Sequence, residues 1–369
     1  MNIVHVVENL ERGGLERMVI DLATTQAAEG HEVAIATLFQ PGQLASEAEA
    51  AGVAVHPCHK RPGPDRQAFR ELRRIFRWRR PDVIHSHNPM PHQYAVAASL
   101  GRRTGRINTR HGLGQAADSR RSRRLFRLAM TRTDFGVAVC RAALEQYIHD
   151  GLIPARKGRV IHNGIRVGRF VRRDARRRDA LRAELGLEPG GPVVGTVGRL
   201  NPAKDQGRLV AAFAGIRRRH PEAILVIIGG GPLEAELRRE IAMAGLEGSV
   251  FLLGDSDEIP ELLAGFDLFV LPSRTEGYSI ALLEAAAAHL PAVVTRVGGN
   301  ADIIADGLRG RVVPPGDTAA LTQVISELLA APEQRQFMGQ NAGSWAREHA
   351  SVAAMAHSYE ALYREAGAK

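Results

Sequence analysis

Two glutamates separated by seven residues, Glu276 and Glu284, flank a loop-to-helix junction. The segment is Ser273-Arg274-Thr275-Glu276-Gly277-Tyr278-Ser279-Ile280-Ala281-Leu282-Leu283-Glu284-Ala285, and it follows an apolar run ending in Pro272. A helix start leaves backbone N–H groups unpaired and carries the positive end of the helix dipole, so it favours phosphate. Glu276 precedes that junction, and Glu284 lies about one turn into the helix, roughly 5–6 Å further along its axis. One carboxylate could meet a sugar hydroxyl and the other a ribose diol, with a diphosphate between them on the amides of Gly277, Tyr278, Ser279 and Ile280. Taken alone, the same segment reads equally well as a solvated loop glutamate followed by a salt-bridged helix glutamate.

A second segment carries the complementary charge. Gly198-Arg199-Leu200-Asn201-Pro202-Ala203-Lys204-Asp205 follows another apolar run and places Arg199 and Lys204 at a strand end. Arginine grips a phosphate bidentately and lysine adds a compact point charge. Such a pair stabilises a leaving diphosphate as its bond to a sugar breaks; its plainer reading is a surface salt-bridge pair. Near the start, Gly13-Gly14 joins the first apolar run to a helical pattern and permits close approach of backbone to ligand, without completing a dinucleotide fingerprint.

These residues need elements that hold them. Short β-rich runs alternate with longer helical patterns through most of the 369 residues, which predicts parallel sheets covered by helices. Strands are expected at Ile3–Val7, Glu32–Leu38, Asp82–His87, Arg106–Thr109 and Phe135–Val139. A second set is expected at Val193–Val197, Ile224–Ile228, Val250–Leu253, Leu268–Leu271 and Ala292–Thr295. The charge run Arg172–Arg178, followed by Leu187-Glu188-Pro189-Gly190-Gly191-Pro192, marks a boundary between two doubly wound units, residues 1–180 and 187–343. A terminal helix within 344–369 is expected to return to the first unit.

Together the segments resemble the GT-B family of retaining glycosyltransferases marked by an E-x7-E pair, glycosyltransferase family 4-like. The resemblance runs in order through Gly13-Gly14-Leu15-Glu16-Arg17, Pro81-Asp82-Val83-Ile84-His85-Ser86-His87, Arg110-His111-Gly112 and His162-Asn163-Gly164-Ile165. It continues through Gly198-Arg199-Leu200 with Lys204-Asp205, Gly229-Gly230-Gly231-Pro232, the Glu276/Glu284 pair, Val297-Gly298-Gly299 and Val313-Pro314-Pro315-Gly316. It implies two Rossmann-like domains facing across a cleft, the first for the acceptor and the second for a nucleoside-diphosphate sugar. By the same resemblance, Arg199 and Lys204 would hold the diphosphate, Glu276 the transferred sugar and Glu284 the ribose. His111 would line the sugar pocket near the reacting carbon, Gly13 and Gly14 would close over the phosphates, and His87 and Arg110 are acceptor-side candidates. The family retains anomeric configuration, with a diphosphate oxygen taking the acceptor proton. The opening Gly-Gly-Leu-Glu and His59-Lys60-Arg61-Pro62-Gly63 look like bacterial exopolysaccharide transferases. The turn Tyr278-Ser279-Ile280 departs from the commoner aromatic-Pro/Gly-Asn and leaves the sugar open.

No metal or other cofactor is expected. Asp255-Ser256-Asp257 lacks a supporting cluster for a hard cation, and His85 with His87 lacks a third ligand, His87 being the one expected to face the cleft. Two cysteines, Cys58 and Cys140, suit a reducing compartment, and neither a signal peptide nor a spanning segment is evident, so a cytoplasmic protein is expected. Charge is uneven: residues 1–180 hold 32 Lys and Arg against 17 Asp and Glu, whereas 181–369 hold 17 against 23. Segment 60–80 alone has nine basic residues, and Arg120, Arg121, Arg123, Arg124 and Arg127 follow. This suggests reversible contact with anionic membrane, where a glycan or lipid-linked acceptor would be met; no nucleic-acid motif accompanies the charge. Rival readings are a GT-B nucleotide-sugar epimerase, a phosphorylase, a dinucleotide oxidoreductase, or a non-catalytic nucleotide-sugar sensor. The phosphorylase lacks an identifiable pyridoxal lysine, and the oxidoreductase lacks the full glycine fingerprint.

Overall fold

A computed structural model describes residues 1–112, 120–172 and 174–367; Arg173 of the charge run and the last two residues of the terminal segment lie outside these. The chain forms two compact units, Met1–Gly164 with Val352–Lys369, and Ile165–Ser351.

The first unit holds a parallel sheet of β1 (Asn2–Val7), β2 (Glu32–Thr37), β3 (Ala54–Pro57), β4 (Val83–His87), β5 (Gly105–Arg110), β6 (Phe135–Ala138) and β7 (Gly158–Val160), in the order β3-β2-β1-β4-β5-β6-β7. The second holds β8 (Val193–Val197), β9 (Ile224–Ile228), β10 (Val250–Gly254), β11 (Leu268–Leu271), β12 (Ala292–Thr295) and β13 (Gly310–Val313), in the order β10-β9-β8-β11-β12-β13. Strand order reverses between β1 and β4, and again between β8 and β11. A crevice outside the carboxyl ends of the strands is expected at each such reversal. The central strands are almost wholly apolar because helices cover both of their faces; β9, Ile-Leu-Val-Ile-Ile, is buried at all five positions.

Three strands, β3, β7 and β13, were not expected. All three are at sheet edges and lack a run of large β-formers: β3 ends in Pro57, β7 is Gly-Arg-Val, and β13 opens with Gly310. The units divide at Gly164/Ile165, upstream of the Pro/Gly breaker, because helix Ala175–Glu184 packs on helix Ile259–Ala264 of the second unit. The last helix, Val352–Gly367, belongs to the first unit; it lies on helix Gly14–Ala28 and β5, burying Tyr359 and Tyr363.

The basic helices of the first unit are amphipathic. In Arg66–Arg79, Asp65 caps the start by accepting from the Gln67 and Ala68 N–H groups, and Leu72, Ile75 and Phe76 are buried while Phe69 is half-buried. The apolar stripe of this helix therefore faces the core. Trp78 near its end is 66% exposed, and in helix Arg120–Thr131 Phe126 is buried while Leu125 and Leu128 are 44% and 66% exposed.

Candidate functional site

In the second unit, Arg199 and Lys204 follow β8 and Glu276 follows β11, the two neighbouring strands at the reversal. Local hydrogen bonds shape both loops. Asn201 Oδ1 accepts from the Ala203 and Lys204 N–H groups at 3.1 and 3.2 Å, turning the first loop. The Arg274 N–H then donates to the Ala203 carbonyl at 2.8 Å, joining it to the second. Asp205 reinforces the join, accepting from Arg208 at 2.7 Å and Arg274 at 3.0 Å. Burial alone would raise the Asp205 pKa, but its hydrogen bonds to Arg274 and Arg208 outweigh that and hold it below the usual carboxylate range.

The join brings opposite charges together. Lys204 Nζ donates to Glu276 Oε1 at 2.6 Å, and Ser273 Oγ donates to the same oxygen at 2.6 Å. Glu276 is 9% exposed and Ser273 fully buried, with the Ser273 carbonyl accepting from Thr295 Oγ1 at 2.6 Å. From below, the Val297-Gly298-Gly299 turn props the loop: the Gly299 N–H donates to the Gly277 carbonyl at 2.8 Å. Gly298 has φ +52°, and a Cβ there would fall 2.0 Å from the Glu276 carbonyl oxygen, so only glycine fits.

Beyond Glu276 the chain enters helix Ile280–Ala287. Ser279 caps it, its Oγ accepting from the Leu282 N–H at 3.3 Å; Gly277 and Tyr278 are buried, and Ile280 and Glu284 half-buried. Arg199 is exposed and has no ion-pair partner among the described residues, so its charge is available to an anion. Asp255 is otherwise engaged: its Oδ1 accepts from the Gly230 N–H at 2.7 Å, closing the Gly229-Gly230-Gly231 turn. The second unit thus offers a cationic pair, a capped helix start and a carboxylate already fixed by hydrogen bonds, an arrangement that can bind a diphosphate beside a polyol.

In the first unit Gly13 and Gly14 are exposed between β1 and helix Gly14–Ala28. His111 follows β5, half-buried, its N–H donating to Asn88 Oδ1 at 3.2 Å. Its ring Nε2 lies 3.0 Å from His87 Nδ1. Burial pushes the His111 pKa down to about 3, outweighing a hydrogen bond to Asn163 that raises it, so the ring is neutral at neutral pH.

The two acceptor-side candidates are buried. His87, expected to face a cleft, is 1% exposed, with its ring nitrogens hydrogen-bonded to His5 and His111. Arg110 is 4% exposed, with its guanidinium over the rings of Phe126 and Tyr147 at 5.0 and 4.7 Å. Both support the surroundings of His111 instead of meeting solvent. The third histidine missing from the sequence reading is His5, which pairs with His85 in the β1–β4 register. His5, His85 and His87 bring ring nitrogens within 4.8 Å of one another. Hydrogen bonds occupy all of these nitrogens: Gln26 and His87 for His5, Tyr363 and Thr109 for His85, His5 and His111 for His87. The cluster is a hydrogen-bonded polar core. The sequence did not join Gln26, Tyr359 and Tyr363 to these histidines, since nothing local links them.

Comparison with known proteins agrees with this division. The family model "Glycosyltransferase Family 4" matches residues 12–169, and "Glycosyl transferases group 1" matches residues 177–345. The chain is 38% identical over 185 residues to the GDP-mannose-dependent alpha-(1-6)-phosphatidylinositol monomannoside mannosyltransferase of Mycolicibacterium smegmatis, covering 48% of each protein, about half the relative's length. It is 27% identical over 287 residues to the N-acetyl-alpha-D-glucosaminyl L-malate synthase of Bacillus anthracis, covering 76% of this chain and 74% of that one. Among solved structures, Anabaena HepE in complex with UDP and glucose superposes with a TM-score of 0.88 at 22% identity, covering 99% of this chain and all of that one.

Proposed function

The chain belongs to the GT-B glycosyltransferases of the family 4 and group 1 type, and from that premise we propose that it transfers a sugar, with retention, from a nucleoside-diphosphate sugar. The observation that carries this reading is the Lys204–Glu276 contact of 2.6 Å beside the capped start of helix Ile280–Ala287. Lys204 and Arg199 meet the diphosphate and stabilise the charge that develops as the sugar departs. Glu276, fixed by Ser273, accepts from a hydroxyl of the transferred sugar, and Glu284 accepts from the ribose. His111 and Gly13-Gly14 are the first unit's candidates for the sugar and the phosphates. A diphosphate oxygen takes the acceptor proton, so no protein base is needed. Because two cations and helix amides answer the diphosphate charge, the reaction needs no divalent metal.

The acceptor is a glycan or lipid-linked glycan in cell-surface polysaccharide synthesis, used by a cytoplasmic enzyme at the inner face of the membrane. Among the described residues no helix is long and apolar enough to cross a membrane. The surface offered to a membrane is the arginines of helices Arg66–Arg79 and Arg120–Thr131 with the exposed Trp78, Leu125 and Leu128. Incubation with a panel of UDP- and GDP-sugars, following release of nucleoside diphosphate, tests the core of the proposal. Release from at least one donor, accelerated by a glycan acceptor, is expected. Failure with every donor while the nucleoside diphosphates still bind would favour a non-catalytic sensor.

A further inference from the structure

Four buried or half-buried side chains of the first unit make an unbranched line of hydrogen bonds. Gln26 Oε1 lies 2.8 Å from His5 Nε2, His5 Nδ1 lies 3.1 Å from His87 Nε2, and His87 Nδ1 lies 3.0 Å from His111 Nε2. They come from helix Gly14–Ala28, β1, the end of β4 and the residue after β5, so three adjacent strands hold the line rigid.

A neutral imidazole has one N–H and one bare nitrogen. Along such a line each donor must meet an acceptor, because two N–H groups or two lone pairs face to face would leave buried polar atoms unpaired. The three rings therefore share one register, with the proton on Nε2 in all or on Nδ1 in all. Gln26 selects between them. Its carbonyl oxygen faces His5, so His5 Nε2 donates, His87 Nε2 donates to His5, and His111 Nε2 donates to His87.

The Gln26 amide is itself held. Its Nε2 donates to Tyr363 Oη at 3.3 Å, and Tyr363 Oη lies 2.7 Å from His85 Nδ1. The tyrosine hydroxyl accepts from Gln26 and donates to His85, whose Nε2 then donates to Thr109 Oγ1 at 2.8 Å. Thr109 Oγ1 is 3.0 Å from Tyr359 Oη. Both tyrosines come from the terminal helix Val352–Gly367.

We infer that Gln26, His5 and His87 form a proton-ordered chain that fixes His111 in its Nε2–H tautomer, which makes them positioning residues for the site at the end of β5. The inference rests on the proposed placing of His111 at the sugar pocket. In this tautomer Nδ1 of His111 is an acceptor, suited to a donor such as a sugar hydroxyl and unsuited to a bare oxyanion. Burial holds His5, His87 and His111 all below the ordinary histidine pKa, so the ordering persists at neutral pH.

The test is 15N NMR of ring nitrogens in the full chain, with His111 assigned through its own His111→Gln variant. Wild-type His111 should show a protonated Nε2 and a bare Nδ1. Gln26→Leu and His5→Phe, which do not touch His111, should lose that single-tautomer pattern at His111 while the backbone spectrum stays dispersed. A protonated Nδ1 in wild-type His111 overturns the inference, and this measurement needs no variant to fold. So does an unchanged Nε2–H pattern in both variants. Nucleoside diphosphate release is read separately: an ordered His111 in a chain that turns over no nucleotide sugar would sink the proposed function and leave the tautomer chain standing.

Discussion

Lys204 and Arg199 have different environments and should fail differently. Arg199 is exposed and without an ion-pair partner among the described residues, whereas Lys204 neutralises a 9%-exposed glutamate. Replacing either with Ala should lower turnover by about 10²–10³, the effect of losing one group aimed at developing charge. Arg199→Ala should leave the thermal midpoint near wild type. Lys204→Ala should also lower it, because a buried carboxylate loses its cation. Wild-type turnover in both variants would contradict the diphosphate role. The glutamates divide similarly: Glu284→Ala should weaken nucleoside diphosphate binding in calorimetry, and Glu276→Ala should chiefly slow transfer from a bound donor. Equal nucleotide affinity in wild type and Glu284→Ala would remove the ribose assignment. These residues were legible in the sequence because each lies within a few positions of a strand end or helix start. His5, Gln26, Tyr359 and Tyr363 were not, because their meeting depends on the β1–β4 register and on a helix more than 270 residues further along.

At the scale of elements, ten strands could be read from apolar runs bounded by turn residues, and the edge strands β3, β7 and β13 could not, since an edge needs neither length nor bulk. Histidines of β1 (His5), of helix Pro89–Ala98 (His92) and just after β5 (His111) carry a pH prediction. His5, with a pKa lowered to about 4, and His92 and His111, lowered to about 3, lose their ordinary basicity chiefly through burial. In the unfolded chain each titrates near the ordinary histidine value of 6.5. Between the two values the unfolded state binds more protons, so stability is fully present above about pH 6.5 and falls as pH drops toward 4. Urea midpoints should decline from pH 7.5 to 5 with uptake of more than one proton per molecule; a flat profile would contradict buried neutral histidines. The glycine turn beneath Glu276 makes a second test. Gly298→Ala forces a side chain into φ +52° and onto the Glu276 carbonyl, so both turnover and the thermal midpoint should fall. Turnover equal to wild type would mean the prop is dispensable.

For the whole molecule, the charge imbalance between the halves was visible at once, but the face it occupies was not. Helix Arg66–Arg79 turns Leu72 and Phe76 inward, so the apolar stripe serves the core; Arg70, Arg74 and Arg77 are exposed, Arg74 being paired with Glu71. Each such arginine near an anionic leaflet contributes about 1 kcal/mol, screened by salt. Co-sedimentation should require anionic vesicles, fall at high salt and weaken when Arg70, Arg74 and Arg77 become Gln; equal binding to neutral vesicles would contradict an electrostatic attachment. In the second unit the proposal has two cations and a helix start answer a diphosphate without a metal. The most direct measurement is nucleoside diphosphate release from the preferred nucleotide sugar in excess EDTA, for wild type and Lys204→Ala side by side. The account predicts undiminished release by wild type and a loss of about 10²–10³ in the variant. Abolition of wild-type release by EDTA with rescue by magnesium or manganese, or equal release by both proteins, would contradict it.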